Sequence, residues 1–338
     1  MKTSKKTKAL LFVIAAALVL GGCGARKEES PANTSSAESP AGAPTETSSA
    51  SPSSSEPAGQ TILEAFKEKA QAGQAAPDEL FGELKDALGK SDTSTADELI
   101  RAMETYYDAN LETTSKKFEE ENIQKSLAEL QFPVTEEQIK AIPDESVKKL
   151  AEDAIDGGYK LETAEGFVFP IVDYAKLQEI DDGASPSMQA YLALQATESN
   201  EATAKDAGLV ITWEQLADRA LAAEAFIRQY PDSPERVKVE DRFANYLNMY
   251  LTGLNNTPIF DYETFKALPE VKAQYKKTAE AHPDTVTGKL AKELLDVLAK
   301  TNDKVFDKSK DGSQQDVPEV KAFRDGLETE ARNALPKA

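Results

Sequence analysis

Thr95-Ala96-Asp97-Glu98-Leu99-Ile100-Arg101-Ala102-Met103-Glu104-Thr105-Tyr106-Tyr107-Asp108-Ala109-Asn110-Leu111 decides the fold class, because its apolar residues recur every three or four positions. Leu99, Met103, Tyr106, Tyr107 and Leu111 share one helical face, and Phe118, Ile123 and Leu127 continue it, so the spacing predicts helix across Thr95 to Leu130. Glu112 to Asn122 is mostly polar, which predicts a break there into two helices. Working outward toward the N-terminus, Leu80, Phe81, Leu84 and Leu88 follow the helix-starting Pro77-Asp78, and Ile62, Leu63 and Phe66 share a face before them. Toward the C-terminus, Thr135-x-x-Gln138 has the form of a capping box, Pro143 stops that helix, and Asp144 restarts one to Asp156.

Gly157-Gly158 closes the first helical block. Tyr159 to Thr163 then alternates apolar and polar residues, Ala164-Glu165-Gly166 can turn, and Phe167 to Val172 is β-rich, which predicts a hairpin whose second strand is held at an edge by Pro170. Helices are expected again over Asp173–Ile180, Pro186–Lys205, Thr212–Tyr230, Pro234–Leu254, Tyr262–Ala281, Thr287–Phe306 and Pro318–Leu335, with Thr212, Ser233 and Thr285 as N-caps. The expected fold is mainly α, an irregular helical array or bundle with one small β-hairpin at about 158–172. Its organisation is an N-terminal helical region, 61–157, and a hairpin plus C-terminal helical region, 158–338.

The first sixty residues have another character. Lys2, Lys5, Lys6 and Lys8 precede the apolar run Ala9 to Leu20, and small residues lead to Cys23, the only cysteine. Residues 1–22 therefore read as a secretory signal peptide, too short to stay as a membrane span. Leu20-Gly21-Gly22-Cys23 resembles the bacterial lipobox. That resemblance implies a diacylglycerylated Cys23 thiol, cleavage just before it, and a new N-terminus anchored in a membrane. From residue 23 to residue 60 the chain is nearly all Ser, Pro, Ala, Thr, Glu and Gly, which reads as a disordered tether.

Charge narrows the partners. The chain has 39 basic and 59 acidic residues, a net of −20, and loss of residues 1–22 removes only basic ones. So acidic a body is repelled by nucleic acid and by anionic surfaces, so no nucleic-acid partner is expected and membrane attachment falls to the lipid. With one cysteine no intramolecular disulfide forms.

Ala225 to Ser233 (AFIRQYPDS) is echoed 52 residues later by Lys277 to Thr285 (KTAEAHPDT). A helix ending in aromatic-Pro-Asp-Ser/Thr resembles the helix ends of tetratricopeptide-like repeats in some bacterial envelope lipoproteins. The spacing exceeds the ~34 residues of that repeat, and Trp213-Glu214-Gln215-Leu216-Ala217 is the nearest approach to its signature. Two helix stops built by common capping rules are the preferred explanation of the echo.

Catalytic patterns are thin. His282, the single histidine, sits before Pro283 at a helix end, where it suits the dipole. Gly89-Lys90-Ser91 lacks the correctly spaced first glycine of a P-loop, and Ser146-x-x-Lys149 stands without the companion motifs of penicillin-binding enzymes. Asp181-Asp182 and Glu119-Glu120-Glu121 could supply an acid and a base but read as solvated faces. Asp307, Ser309 and Asp311 with Gly312 resemble the first half of an EF-hand calcium loop, although Pro318 takes the place of its bidentate glutamate. Phe243, Tyr246, Tyr250, Phe260, Tyr262 and Phe265 concentrate around Asn255-Asn256-Thr257-Pro258, either as core or as a ligand groove whose residues would be Tyr246, Tyr250, Phe260 and Tyr262.

The sequence thus points to a membrane-anchored, extracytoplasmic lipoprotein, a non-enzymatic binding or scaffolding module for an envelope protein or peptide. The alternatives are a carboxylate-dependent enzyme acting on the cell wall and a calcium-responsive module. No cofactor is expected apart from calcium at Asp307, Ser309 and Asp311.

Overall fold

A computed structural model describes residues 58–337, so the signal peptide, Cys23 and most of the tether lie outside the described residues. Residues 58–60, read above as tether, are the start of helix α1 (Ala58–Ala72). α2 (Pro77–Leu88) and α3 (Thr93–Lys116) complete a packed trio, with Leu80, Leu84, Leu99, Ile100 and Met103 wholly buried between them. The polar stretch after Leu111 ends α3 at Lys116, and α4 (Glu121–Leu127) resumes the apolar face with Ile123 and Leu127. The expected break is there.

Thr135 and Gln138 form the capping box of α5 (Glu136–Lys140), and Asp144 caps α6 (Glu145–Asp156) by accepting from the N–H groups of Ser146 and Val147. Strands β1 (Tyr159–Ala164) and β2 (Phe167–Val172) then pair antiparallel, with Pro170 opposite Leu161. α7 (Tyr174–Gln178) and α8 (Pro186–Asn200) return the chain to the helical layer.

Two helical hairpins follow. α9 (Trp213–Gln229) packs along α10 (Arg236–Thr252), and α11 (Pro269–Ala281) along α12 (Val286–Lys300). Thr212 and Thr285 cap α9 and α12, whereas Ser233 serves the turn before α10 by accepting from the Glu235 N–H. The 52-residue echo has a local structural counterpart. Tyr230 and His282 end α9 and α11 with nearly the same backbone, φ/ψ −127/63 and −130/52, and each donates its N–H to the carbonyl four residues back. The irregular segment 253–268 separates the pairs and accounts for the long spacing. α13 (Pro318–Ala334) closes the body against α10 and α12.

The fold is mainly α, with three small hairpins among the described residues where the sequence predicted one. β3 (Ala204–Lys205) and β4 (Gly208–Leu209) turn through Asp206 and Ala207 at φ 46° and 51°. They replace the end of the helix expected to reach Lys205, because α8 stops where Glu201 becomes extended and Glu198 accepts from the Thr203 N–H. β5 (Phe306–Lys308) and β6 (Gln314–Asp316) form the third hairpin, and left-handed Asn302 and Asp303 end the preceding helix before Phe306. Likewise Tyr262 does not begin a helix. Asp261 accepts from the Glu263 and Thr264 N–H groups to make a turn, and α11 starts only at Pro269.

These non-helical pieces meet along the body. Lys205 reaches Glu162 of β1 at 3.0 Å, Asn256 donates to the Ala207 carbonyl at 2.9 Å, and Val305 donates to the Phe265 carbonyl at 2.9 Å. The apolar core runs continuously from Phe66 to Leu335, so Gly157-Gly158 marks a change of element inside one packed unit. Among the described residues no helix is long and apolar enough to cross a membrane.

Candidate functional site

Of the expected aromatic groove, Tyr246 borders an opening. It points from α10 toward α8 and α9, where a cleft of about 280 Å³ is lined by Leu194, Thr197, Glu201, Gln215, Asp218, Arg219, Ala222 and Tyr246. The capping box at Thr212 and Gln215 fixes where α9 begins, and that sets Gln215, Asp218, Arg219 and Ala222 on the turns facing the cleft.

Arg219 anchors the site. It is 6% exposed, and one guanidinium nitrogen donates to Glu198 at 2.9 Å and to the Thr203 hydroxyl at 2.7 Å. The other terminal nitrogen donates to Glu201 at 3.3 Å. Glu198 also accepts from the Thr203 N–H at 2.8 Å, the Thr203 hydroxyl at 2.7 Å and the Tyr246 hydroxyl at 2.8 Å. Burial pushes the Glu198 carboxyl up, but the bonds from Thr203, Tyr246 and Arg219 outweigh it and hold the group below the usual carboxylate range. Burial next to that anion raises the Tyr246 phenol. The guanidinium is therefore neutralised within the wall, while Glu201 and Asp218 leave the mouth acidic. Leu194, Ala222 and the Tyr246 ring supply an apolar side. Such a cleft takes an aliphatic stem ending in a cation.

A second carboxylate, this one buried, ties α3 to α7, α8 and α10. Glu104 of α3 is 3% exposed and accepts from Tyr191 of α8 at 2.6 Å and Tyr174 of α7 at 3.1 Å, with the Lys238 amine of α10 at 3.5 Å. Burial raises its carboxyl above the ordinary value, and Lys238 offsets part of the rise. Arg101, one turn earlier, donates to Glu235 at 2.5 Å, and Asp97 accepts from the Ser185 N–H at 2.8 Å. Three successive turns of α3 are thus locked to α8 and α10.

The remaining expected residues are dispersed. Tyr250 is wholly buried, its hydroxyl 2.8 Å from that of Thr278, and burial pushes it up to about 12. Phe260 packs edge-on to Tyr262 and Phe306. Tyr262 is 57% exposed and donates to the Asn255 carbonyl. The four aromatics therefore form no common groove: helical spacing put Tyr250 in the core, and the Asp261 turn carried Tyr262 to the surface.

Asp307, Ser309 and Asp311 lie on the β5–β6 hairpin and do not form an EF-hand half-loop. Asp307 pairs with Lys304 at 2.6 Å, and Asp311 accepts from the Ser309 and Ser313 hydroxyls and the Ser313 N–H. Among the described residues no group of three or more His, Cys, Asp or Glu side chains could hold a metal ion. His282 ends α11 and accepts from the Thr285 hydroxyl through its carbonyl. Ser146 and Lys149 are consumed by Asp144 and Asp153. Glu119, Glu120 and Glu121 are exposed, as expected for a solvated run. Asp181 is largely buried, and burial and Asp182 raise its carboxyl.

No protein family, curated protein or solved structure matches this chain.

Sequence reasoning passed over Glu104, Glu198, Arg219 and Glu224. The signal was present at two of them. Glu104 follows Met103 and sits four residues after Ile100, and Arg219 lies three after Leu216 and four before Ala223. A charge on the apolar face of a helix marks a buried ion pair or a site.

Proposed function

We propose that this chain is a lipoprotein cleaved before Cys23 and acylated there, whose acidic helical body acts outside the cytoplasm as a non-enzymatic binding or scaffolding module. Its partner is an envelope protein or peptide that presents a lysine or arginine side chain to the cleft between α8, α9 and α10. The observation that carries this reading is the Tyr246–Glu198–Arg219 wall, which spends its one cation internally and leaves Glu201 and Asp218 beside an apolar flank. The non-enzymatic reading is supported by the buried carboxylates of Glu104, Glu224 and Glu235 and the half-buried one of Glu198, each engaged by fixed donors within the fold. We assign no cofactor, and read the 306–316 hairpin as structural.

Trp213, the single tryptophan, begins α9 two residues from Gln215 and reports on the cleft by fluorescence. Lysine- and arginine-rich peptides should bind in a salt-sensitive manner, and Asp218→Asn should weaken them several-fold, with acidic peptides inert. Equal response to basic and acidic peptides rejects the cleft. The address is tested separately by palmitate labelling: Cys23→Ser should abolish the label and release the protein from membranes.

A further inference from the structure

A second cleft, of about 290 Å³, opens where α3 passes the α1–α2 turn and α6. Gly157 lets it form: a Cβ there would stand 2.3 Å from Pro77, so the end of α6 rests directly on the start of α2. Pro77, Phe118 and Leu150 make the apolar part of the lining, and its charged members are Asp78, Lys117 and Asp153.

Those charges are separated by sign. Burial raises the Tyr106 phenol and Asp78 adds to the rise, so Asp78 stands beside Tyr106. Asp153 holds the Lys149 amine at 2.8 Å, and Asp78 acts on the same amine. Two carboxylates against one amine leave this end of the cleft acidic. Lys117 lies eleven residues beyond Tyr106 on α3. Its neighbour Lys116 pairs with Glu112 at 2.6 Å, but among the described residues neither the Lys117 amine nor the Asp78 carboxylate has a partner of its own. Between the two ends, Asn110 and Thr113 line the cleft from α3. The Asn110 amide donates to the Tyr106 carbonyl at 2.9 Å, which leaves its oxygen as an acceptor. Gly73 keeps that oxygen uncovered, since a Cβ there would sit 3.5 Å from it.

An occupant that answers this lining carries a cation and an anion at opposite ends, with amide-like polarity between them. Length selects among such molecules. Eleven residues of helix rise about 16 Å, and helical side chains lean toward the N-terminus, which brings the span from Lys117 to the acidic end down to roughly 10 Å. A free amino acid holds both charges on one carbon and cannot cover that distance. Two or three extended residues, at ~3.3–3.6 Å each, can. A cleft at the small end of the ~300–1,000 Å³ range of ligand sites leaves room only for small side chains. We propose that this cleft binds a zwitterionic di- or tripeptide, its ammonium at Asp78 and Asp153 and its carboxylate at Lys117. The site is separate from the Tyr246 cleft and stands whether or not a basic side chain binds there.

The test is the melting temperature of the mature chain titrated with dialanine and trialanine, which have no basic side chain to offer the Tyr246 cleft. At least one of them should raise it saturably. Free alanine should not, nor should trialanine acetylated at its amine or amidated at its carboxylate. Lys117→Gln and Asp78→Asn each remove an unpaired charge, so both should melt near the parent without peptide and bind it about tenfold more weakly or worse. Asp218→Asn, in the other cleft, should leave the shift intact. The proposal is overturned if neither peptide gives a saturable shift, if alanine or a blocked peptide matches them, if the shift survives Lys117→Gln at parental strength, or if Asp218→Asn removes it.

Discussion

The carboxylate of Glu224 accepts both the backbone N–H of Thr287, at 3.0 Å, and its hydroxyl, at 2.9 Å. The Val286 N–H donates to the other oxygen at 2.7 Å, so one side chain in the middle of α9 closes the first turn of α12. A helix N-terminus exposes donors without intrahelical acceptors, and an anion there also meets the positive end of the dipole. The same oxygen pairs with Arg228 at 2.7 Å. The second helical hairpin is thereby fastened to the first through a group 1% exposed.

Glu224→Ala removes the acceptor and strands two buried N–H groups, because Arg228 can turn to solvent but Val286 and Thr287 cannot. The expected loss is about 2–4 kcal/mol in chemical denaturation. Glu224→Gln keeps one acceptor oxygen and should cost about half as much. A loss below ~1 kcal/mol for Glu224→Ala would mean that α12 is held by packing alone.

Glu104 makes stability depend on pH in the opposite sense from a surface ion pair. Its folded carboxyl lies above the ordinary 4.5, raised mainly by burial, so the folded chain holds that proton more tightly than the unfolded chain does. Its contribution is full below pH 4.5 and is lost as pH rises from there through the folded value. Glu104→Gln has no proton to lose. The urea midpoint of the variant relative to the parent should therefore climb as pH rises from 4 toward 7, and a flat difference would refute the assignment.

Much of this architecture was legible because helices announce themselves. Leu99, Met103, Tyr106 and Tyr107 gave the long helix its face, and Thr135 with Gln138 gave a start that the capping bonds match. The second and third hairpins were not legible. Ala204–Leu209 is too short to show period-two alternation, and its turn puts Ala207 at positive φ after Asp206, where sequence rules look for Gly. Tyr262 looked helical because the Asp261 side-chain turn has no periodicity to read. The candidate sites were hidden for a related reason. Glu198 meets Arg219 and Tyr246 across separations that only the packing brings together.

Gly158 and Gly166 allow backbone strain to be separated from packing. Both are left-handed, at φ 80° and 83°, but a Cβ on Gly158 would lie 2.0 Å from the Tyr107 hydroxyl, whereas one on Gly166 meets nothing within 4 Å. Gly166→Ala should cost about 1–2 kcal/mol, the conformational part alone. Gly158→Ala should cost about 3 kcal/mol or more, because Tyr107 must also give up the Gly157 carbonyl. Similar losses at the two positions, measured by denaturation, would show that Tyr107 moves aside freely.

The third hairpin offers the last prediction. Asp311 is fully committed to its own turn: the Ser309 hydroxyl, then the Ser313 hydroxyl and N–H, draw its carboxyl down to about 2. Asp307, on β5, is held at 2.6 Å by Lys304, three residues earlier. A calcium ion would have to break both arrangements and would gain no bidentate glutamate, since Pro318 begins α13. Millimolar calcium should accordingly leave the melting temperature unchanged in the parent and in Asp307→Ala alike. Asp311→Ala should act only locally, speeding amide exchange at Gly312 and Ser313 while global stability moves by less than ~0.5 kcal/mol, as for other exposed sites. A calcium-dependent rise in melting temperature that Asp307→Ala removes would instead restore the metal reading of this loop.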